Sequence, residues 1–437
     1  PATTAEVAAL VRRCAEAGVA VVPYGGGTGL VGGQVRPAPG LGGDEGGPGG
    51  VPGVLLSMER LNRVREVAAG DEAMILEAGV TLAEAQATAE GAGRLFPLSI
   101  ASEGSARIGG VLSTNAGGIG VLRYGMARDL VLGVEAVLPD GSVHDGLKLL
   151  RKNNTGYDLR HLLIGAEGTL GVITAAALRM FPRPAEVATA FCAVPGPGAA
   201  LELLHLLRER LGETVQAFEL IARLGVEFVE AHVPGVRPPL DPAPEWSVLC
   251  EAGSGAGSDM QARLEAALET AFERGIVADA ALAQSESQRA AFWRLRESLP
   301  EGNRKVGAVA NFDVSTPMTR VADFLSDAEA AVERVSPGLR INCFGHLGDG
   351  NLHFNVFPPE GRGRADYSNV KAEVKRVVHD LIDAHGGSIS AEHGIGRLKT
   401  AELQRYEDPA KLAAMRAIKA ALDPRGVMNP GAIFAEG

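Results

Sequence analysis

The chain has 437 residues, of which 46% are hydrophobic, and a formal net charge of −11, so we expect a globular protein with more than one core. Its acidic balance, 42 Lys and Arg against 53 Asp and Glu without a basic block, argues against a nucleic-acid partner. No apolar run reaches 18 residues, so no transmembrane segment is predicted. Four isolated cysteines without a CxxC pair indicate reduced thiols and a cytoplasmic location.

The N-terminal segment predicts a helix followed by a buried strand. Residues Thr3 to Ala17 carry an apolar stripe behind a threonine cap, Gly18 ends the helix, and Val19 to Val22 form the strand. Six glycines follow within residues 25–33, and three of them satisfy GxGxxG. A Rossmann turn must open a helix, and glycines and a proline follow here instead, so we reject that interpretation. The loop either cradles a diphosphate on its backbone N–H groups or is a plain flexible connection.

The next part of the chain predicts further strands and a second glycine-rich surface. Residues 36–53 are a low-complexity Gly/Pro stretch, which predicts a mobile surface loop. Strands are predicted at Val54 to Ser57, Met74 to Ala78 and Leu130 to Leu138, with a helix at Leu82 to Gly91. Small hydroxyl residues and glycines dominate residues 96–118. Such a surface suits a long, flat ligand lying against backbone amides.

Pro182 and Pro184 mark a predicted boundary, after which glycine thins out. Strand-like runs such as Val187 to Val194 then alternate with amphipathic helices, which predicts an α+β domain with an antiparallel sheet and helices on one face. The predicted domains are residues 1–183, 184–385 and 386–437. The amphipathic helices are predicted at Ala199 to Leu211, Asp259 to Arg274, Ser285 to Leu299, Val321 to Val335 and Tyr367 to His385.

The stretch GHLGDGNLHFN, residues 345–355, predicts a β-hairpin with two histidines at one end. Alternation places His353 and Asn355 on one face of the second strand, and His346 enters the turn from the first. The two imidazoles either bind a metal or stabilise the turn by hydrogen bonds. A third metal ligand is offered by Glu392, close behind an apparent strand at Gly387 to Ser390.

Five motifs in this order resemble one family, the FAD-linked D-2-hydroxyacid dehydrogenases of the vanillyl-alcohol oxidase superfamily. The motifs are the glycine loop at 25–33, the Ser/Gly/Asn run at 97–118, GHLGDGNLH, AEHGIG and DPRGVMNPG. The likeness extends over nearly the whole chain. It is greatest to members that oxidise D-2-hydroxyglutarate, with D-lactate dehydrogenases and glycolate oxidase flavoprotein subunits as relatives. It implies a two-subdomain FAD-binding domain, an α+β substrate domain and a C-terminal segment that returns to the flavin.

The resemblance also implies which residues contact FAD. The glycine loop would bind the diphosphate, and because it holds neither histidine nor cysteine, the expected FAD is non-covalent. Glu167, Gly168 and Ile173 would surround the adenosine end, and Asn429 would lie near the isoalloxazine. The residues implied for the diphosphate and the rest of the cofactor are Gly25, Gly26, Gly27, Thr28, Gly29, Leu30, Pro97, Ser102, Gly104, Ser105, Ile108, Gly109, Gly110, Asn115, Gly117 and Gly118.

The resemblance further implies the metal ligands and the substrate contacts. His346, His353 and Glu392 match the family's metal ligands, for which Zn²⁺ is expected and Mn²⁺ or Fe²⁺ would also fit. The substrate contacts implied are Arg296 for the carboxylate, Asn355, Asn311 and His393. Two positions depart from the pattern: Asn311 stands where a lysine is expected, and Pro300 where a threonine is. Loss of the lysine weakens the case for a substrate with a second carboxylate.

The implied reaction is oxidation of a D-2-hydroxycarboxylate to the 2-oxoacid, with His393 as the general base. An imidazole has an unperturbed pKa of about 6.5, which suits proton removal near neutrality; the alternative is a histidine that only orients Glu392. The expected partners are the substrate and an electron acceptor such as an electron-transfer flavoprotein, a cytochrome or a quinone, with a homodimer as a candidate assembly. Two other classes stay open: a metal-dependent hydrolase, which leaves the glycine-rich half unexplained, and a non-catalytic flavoprotein subunit.

Overall fold

The computed structural model describes residues 1–35 and 53–435, which divide into two compact units. Unit 1 comprises residues 1–118, 125–183 and 392–437, and unit 2 comprises residues 119–124 and 184–391. The stretch predicted as a mobile loop lies outside the described residues, except for Gly53. Within the described ranges, no helix is long and apolar enough to cross a membrane.

The helices and strands have the following bounds. The strands are β1 Ala20–Tyr24, β2 Gly53–Ser57, β3 Val64–Ala68, β4 Ala73–Glu77, β5 Arg94–Leu95, β6 Val131–Val137, β7 Val143–Asp145, β8 Val172–Arg179, β9 Phe181–Pro182, β10 Glu186–Val194, β11 Val215–Ala222, β12 Trp246–Ser254, β13 Asp279–Leu282, β14 Ala310–Ser315, β15 Arg340–His346 and β16 Asn351–Phe357. The α-helices are α1 Thr4–Ala17, α2 Leu82–Gly91, α3 Ile108–Ser113, α4 Val121–Tyr124, α5 Leu159–Leu163, α6 Pro197–Leu211, α7 Arg223–His232, α8 Met260–Glu273, α9 Glu286–Val306, α10 Val321–Val335, α11 Lys371–Ala384, α12 Thr400–Tyr406 and α13 Pro409–Leu422.

Unit 1 is built on a parallel strand pair and a five-stranded antiparallel sheet. Strand β1 pairs with β2 in parallel, and the larger sheet has the order β3-β4-β8-β6-β7. Helix α1 begins as predicted, because the Thr3 side chain accepts a hydrogen bond from the Glu6 N–H, and it ends at Gly18 in the left-handed conformation. The C-terminal segment returns to β1, where the Val21 N–H donates to Val427 and the Asn429 N–H donates to Val21.

Unit 2 is built on a seven-stranded antiparallel sheet with the order β13-β10-β12-β11-β15-β16-β14. The α+β class with an antiparallel sheet is therefore confirmed. The prediction of helices on one face is wrong: α7 and α9 pack on the face that carries Phe344, whereas Phe324 of α10 contacts Phe354, which points to the opposite face. Both faces are covered because both carry large apolar side chains, which burial removes from water.

The predicted hairpin is present as β15 and β16, joined by a short 3-10 helix at Leu347–Asp349. Phe344 stands opposite His353, and Asn342 stands opposite Asn355. Leu352, Phe354 and Val356 are fully buried and lie on one side of β16, as alternation predicts.

Three predicted elements differ from the structure. The helix predicted from Tyr367 begins only at Lys371, because a separate 3-10 helix covers Arg364–Tyr367. Residues Gly387 to Ser390 do not form a strand. Ser388 makes a single bridge to Ser315 at the end of β14, and the ladder is interrupted because the next backbone bond to β14 comes only from Ala391, to Asp313. Helix α9 does not stop at Leu299 but continues through Pro300 to Val306. A proline removes one backbone donor, but Gly302 packs closely on the backbone of Phe228 and Val229 in α7, and this packing supports the helix beyond it.

Candidate active site

His346 and His353 lie together at one end of the hairpin. Their ring centroids are 5.6 Å apart, and His346 is buried. Two imidazoles that share a Zn²⁺ ion, each with a Zn–N bond of about 2.0–2.1 Å, have ring centres about 5–6 Å apart. The pair therefore fits two ligands of one ion.

Glu219 of β11 joins this pair from the neighbouring strand. It stands directly opposite His346, and its Oε1 lies 2.7 Å from the Nδ1 of that ring. Its side chain is 1% exposed. Burial by itself would raise the pKa of Glu219, but the charges and hydrogen bonds of Arg296 and His346 outweigh burial and lower the pKa to about 2. The ion pair with Arg296 thus favours the charged form of this buried carboxylate.

Arg296 reaches the same carboxylate from α9. Its Nε donates to Oε2 of Glu219 at 2.7 Å, and its guanidinium carbon lies 4.9 Å from the centroid of the Phe344 ring. Among the described residues, Nε is the only nitrogen of this guanidinium with a hydrogen-bonding partner. The two Nη atoms therefore keep the paired donors that a carboxylate binds.

The two predicted asparagines face each other on adjacent strands. Asn311 of β14 stands opposite Asn355 of β16. The Nδ2 of Asn355 donates to the carbonyls of Asn342 and His353 at 3.3 and 2.9 Å, and carbonyls only accept, so its Oδ1 is the atom left for a ligand. Asn311 is exposed, unlike the buried Ala310 and Phe312 beside it.

Glu392 and His393 begin the third segment of unit 1, directly after Ala391. In unit 2, the Ala391 N–H donates to the carbonyl of Asp313, and Asp313 stands opposite His353. In unit 1, a Cβ on Gly117 would lie 2.8 Å from Oε1 of Glu392, so a larger residue at position 117 would displace this carboxylate. All of the predicted cofactor-binding residues belong to unit 1.

The glycine loop after β1 carries unpaired backbone donors. None of the N–H groups of residues 25–29 donates a hydrogen bond to another described residue. The loop also packs tightly, since a Cβ on Gly26 would overlap the Ser105 carbonyl and one on Gly25 would lie 3.4 Å from Gly110. A run of free N–H groups on a closely packed loop fits a diphosphate, so this site fits the FAD predicted for it.

The other predicted cofactor residues lie in turns and element ends of unit 1. Asn115 has a φ of 51°, and its Oδ1 accepts from the Arg128 N–H at 2.9 Å. Ile173 is buried in β8. The remaining residues are Pro97 and, in the turn before α3, Ser102, Gly104 and Ser105; Ile108, Gly109 and Gly110 in α3; Gly117 and Gly118 after it; and Gly168 in the turn before β8.

Glu167 and Asn429 form hydrogen bonds with other residues of unit 1. The carboxylate of Glu167 accepts from the N–H groups of Ile395 and Gly396 at 2.8 and 2.7 Å. Burial raises the pKa of Glu167, although these two donors favour the charged form. Asn429 donates to the carbonyls of Gly33 and Glu167 and accepts from Arg397. Their contacts with the adenosine and the isoalloxazine stay predictions.

Two residues of these networks were not found from the sequence. Glu219 is a single charge within the apolar run VQAFELIA, and a lone carboxylate in a buried strand is the signal that could have pointed to it. Arg397 follows the AEHGIG motif and binds the carbonyls of Gly32 and Gly33 at 2.9 and 2.8 Å. Nothing in its sequence position indicates that contact.

Comparisons with known proteins define the class of this chain. An FAD binding domain matches residues 1–146, and the C-terminal domain of FAD linked oxidases matches residues 183–433. Among solved structures, p-cresol methylhydroxylase is similar with a TM-score of 0.75 at 15% identity, covering 100% of this chain and 88% of that one, which shows the fold. The chain is thus an FAD-linked oxidoreductase of the vanillyl-alcohol oxidase fold.

Curated relatives narrow the class to a family. The mitochondrial D-2-hydroxyglutarate dehydrogenases of Arabidopsis thaliana and Bos taurus are 36% and 38% identical, each over 98% of this chain and over 73% and 75% of their own lengths. A putative mitochondrial D-lactate dehydrogenase of Schizosaccharomyces pombe is 34% identical over 98% of this chain and 80% of its own length. The chain belongs to the FAD-linked D-2-hydroxyacid dehydrogenases, and it is an FAD-dependent enzyme of that family.

Proposed function

We propose that this enzyme oxidises D-2-hydroxyglutarate to its 2-oxoacid, with a divalent metal and non-covalent FAD. One arrangement carries the proposal: Arg296, through Nε, and His346, through Nδ1, bind the same carboxylate of Glu219. The guanidinium with its two open Nη donors therefore lies on the face of the sheet that carries the His346–His353 pair. A 2-hydroxycarboxylate carries a carboxylate and a hydroxyl on adjacent carbons. A guanidinium suits the carboxylate, and a metal held by two histidines suits the hydroxyl. The relatives named for D-2-hydroxyglutarate support the substrate.

The alternative substrates are D-lactate or glycolate, and Asn311 favours them. A second carboxylate needs a cation, and this exposed edge position offers a neutral amide. The D-lactate relative agrees with this alternative.

The proposed metal ligands are His346, His353 and Glu392, with Zn²⁺ as the expected ion. Chain connectivity supports the third ligand: Ala391 is hydrogen-bonded to Asp313, Asp313 stands opposite His353, and Glu392 is the next residue along the chain. Three protein ligands leave coordination positions open, as catalytic zinc sites do.

In the proposed reaction each residue has one task. Arg296 binds the substrate carboxylate through its Nη atoms, which fixes the orientation of C2. Asn355 offers only its Oδ1, an acceptor for a substrate hydroxyl. His393 accepts the proton of the 2-hydroxyl as general base. The metal would supply Lewis-acid polarisation of that hydroxyl, and FAD would supply the acceptor for the two electrons.

Anaerobic mixing of the purified protein with D-2-hydroxyglutarate, D-lactate, D-malate and glycolate tests the substrate. Bleaching of the flavin absorbance is expected, and it should be fastest with D-2-hydroxyglutarate. Faster bleaching with D-lactate or glycolate would favour the alternative. A yellow protein that none of the four bleaches would contradict the proposal and favour a non-catalytic flavoprotein.

Elemental analysis and acid precipitation test the two bound groups. His346→Ala and Glu392→Ala should lose the metal and keep FAD, whereas full metal content in both would contradict the ligand set. Acid should release all flavin into the supernatant, and flavin left on the precipitated chain would contradict non-covalent binding. For turnover we propose an external acceptor, an electron-transfer flavoprotein, a cytochrome or a quinone, and a homodimer as the assembly to test.

A further inference from the structure

We propose that Glu219 is a positioning residue that fixes the tautomer of His346 and the orientation of Arg296 at the same time. The inference rests on the proposed function, because it takes His346 as a metal ligand and Arg296 as the residue that binds the substrate carboxylate. It adds a residue that no motif of the sequence marks. Its role would be to prepare the two binding groups before metal or substrate arrives.

Each carboxylate oxygen of Glu219 has one hydrogen-bonding partner. Oε1 lies 2.7 Å from Nδ1 of His346, and Oε2 accepts from Nε of Arg296 at 2.7 Å. The cross-strand pairing of β11 with β15 sets the first contact, since Glu219 and His346 are directly opposite residues. The side chains of Glu219, Arg296 and His346 are 1%, 7% and 8% exposed, so water does not compete for these bonds.

The contact with His346 decides which ring nitrogen carries a proton. The carboxylate of Glu219 is the ion-pair partner of the Arg296 guanidinium and acts as the acceptor, so Nδ1 of His346 must be the donor in this pair. In a neutral imidazole the other nitrogen, Nε2, then holds a lone pair, which is the form that a metal requires. Glu219 thereby selects the metal-binding tautomer.

The contact with Arg296 decides where its remaining donors lie. The Nε bond fixes the edge of the guanidinium that faces Glu219, and the Phe344 ring lies 4.9 Å from the guanidinium carbon. Both constraints hold the planar group in one orientation, so the two Nη atoms form the opposite edge. The carboxylate of Glu219 therefore fixes both the tautomer of His346 and the orientation of the Arg296 guanidinium.

Glu219→Gln separates this role from simple packing. Arginine cannot give up its Nε proton, so the single amide oxygen of glutamine must serve Arg296. The amide NH₂ then faces His346, whose Nδ1 can accept from it only if the ring carries its proton on Nε2. The variant keeps size and both hydrogen bonds but forces the tautomer that cannot bind a metal through Nε2.

Glu251→Gln is the matched control. Glu251 is a buried carboxylate of β12 in the same sheet, 5% exposed, and it accepts from Thr189, Gln216, Arg289 and Trp293. It has no part in the candidate site. Its variant should match the loss of thermal stability of Glu219→Gln without changing metal affinity.

Two measurements on the FAD-loaded, metal-free protein test the inference. Zn²⁺ affinity is measured by competition with a chromophoric chelator, and the protonated ring nitrogen of His346 is identified by long-range ¹H–¹⁵N correlation, with the signal assigned through His346→Ala. We expect Nδ1–H in the wild type, Nε2–H in Glu219→Gln, and an affinity about 10–100-fold lower in that variant. Glu251→Gln should have the Zn²⁺ affinity and the His346 tautomer of the wild type.

The outcomes separate the inference from the proposed function. Wild-type affinity and tautomer in Glu219→Gln would overturn the role of Glu219 and leave the metal site standing. A wild-type protein that binds no Zn²⁺ would overturn the metal site, and the tautomer measurement would still decide whether Glu219 orients His346. An equal loss of affinity in both variants would assign the effect to general destabilisation and overturn the inference.

Discussion

The side-chain amide of Asn429 donates a hydrogen bond of 2.6 Å to the carbonyl oxygen of Glu167, 262 residues earlier in the chain. Glu167 itself has a φ of 49°, and its carboxylate binds the backbone of Ile395 and Gly396. Arg397 binds the Oδ1 of Asn429 and the carbonyls of Gly32 and Gly33. The end of the glycine loop, the turn at 167 and the C-terminal segment are thus one hydrogen-bonded cluster in unit 1.

Arg397→Ala should weaken FAD binding. The change removes the hydrogen bonds that hold the end of the glycine loop, and leaving partly buried acceptors unpaired costs about 1–3 kcal/mol. We expect FAD fluorescence to appear at a lower temperature on heating. Arg13→Ala, on the exposed side of α1, is the control. Equal release temperatures for Arg397→Ala and the wild type would contradict this role.

Arg296→Lys should raise KM for the 2-hydroxyacid by about 10–100-fold, because a hydrogen-bonded charge pair contributes about 1.5–3 kcal/mol. A lysine ammonium has no Nε edge for Glu219 and no planar fork for a substrate carboxylate. Steady-state kinetics with an artificial acceptor measures the change. Arg289→Lys, which alters the ion pair with Glu251, should leave KM unchanged. If KM and kcat/KM of Arg296→Lys match the wild type, Arg296 does not bind the substrate.

His393→Ala should slow flavin reduction by about 10²–10⁴-fold, the usual contribution of a general base. The measurement is single-turnover reduction across pH with the metal site saturated. The acidic limb of the pH–rate profile should disappear with the base.

The alternative role for His393 predicts the reverse pattern. A histidine that only orients Glu392 would lower metal affinity and leave the metal-saturated rate near normal. A near-normal rate with the acidic limb intact would therefore exclude His393 as the base.

Asn311→Lys should shift specificity toward dicarboxylates. The exposed position faces Asn355 across the strand pair, and a lysine there adds a cation for a second carboxylate. We expect kcat/KM for D-2-hydroxyglutarate to rise about tenfold relative to D-lactate, since a hydrogen bond to a charged group contributes about 1.5–3 kcal/mol. Asn311→Gln is the neutral control. An unchanged ratio would place the distal end of the substrate elsewhere.

Unit 2 should lose stability in acid through Glu251. Burial alone would raise the pKa of Glu251, but Arg289, Trp293 and Thr189 outweigh it and lower the pKa below 4.5. The stabilisation is therefore fully present above pH 4.5 and is lost as the pH falls through the lowered pKa. Both tryptophans, Trp246 and Trp293, lie in unit 2, so tryptophan fluorescence follows its unfolding in urea. Glu251→Gln should be less stable than the wild type at pH 7, and the difference should shrink in acid; a constant difference would contradict this.

Elements with local signals were predictable from the sequence. A threonine cap, an apolar stripe and a terminal glycine define α1, and the structure ends that helix at Gly18. Period-two alternation and a Gly-Asp-Gly turn define the hairpin that carries His346 and His353. These signals need no knowledge of distant residues, because backbone conformation and adjacent side chains determine them.

Contacts between distant segments were not predictable in the same way. The pairing of Glu219 with His346 depends on the order of strands in the sheet, which local patterns do not encode. The same limit explains why all helices were assigned to one face of the sheet, although α10 lies on the other, and why a strand was predicted at Gly387 to Ser390. It also explains α9, where packing of Gly302 outweighs the break that Pro300 suggests.

The division of the chain into units has a consequence for synthesis on the ribosome. Domains usually fold in the order in which they emerge, with the N-terminal one first. Here the first segment of unit 1 precedes unit 2, but unit 1 also includes residues 392–437, among them the Val427 to Asn429 segment that pairs with β1. All of unit 2 has been translated before that segment emerges. The glycine loop therefore acquires its C-terminal partners only after unit 2 has been translated.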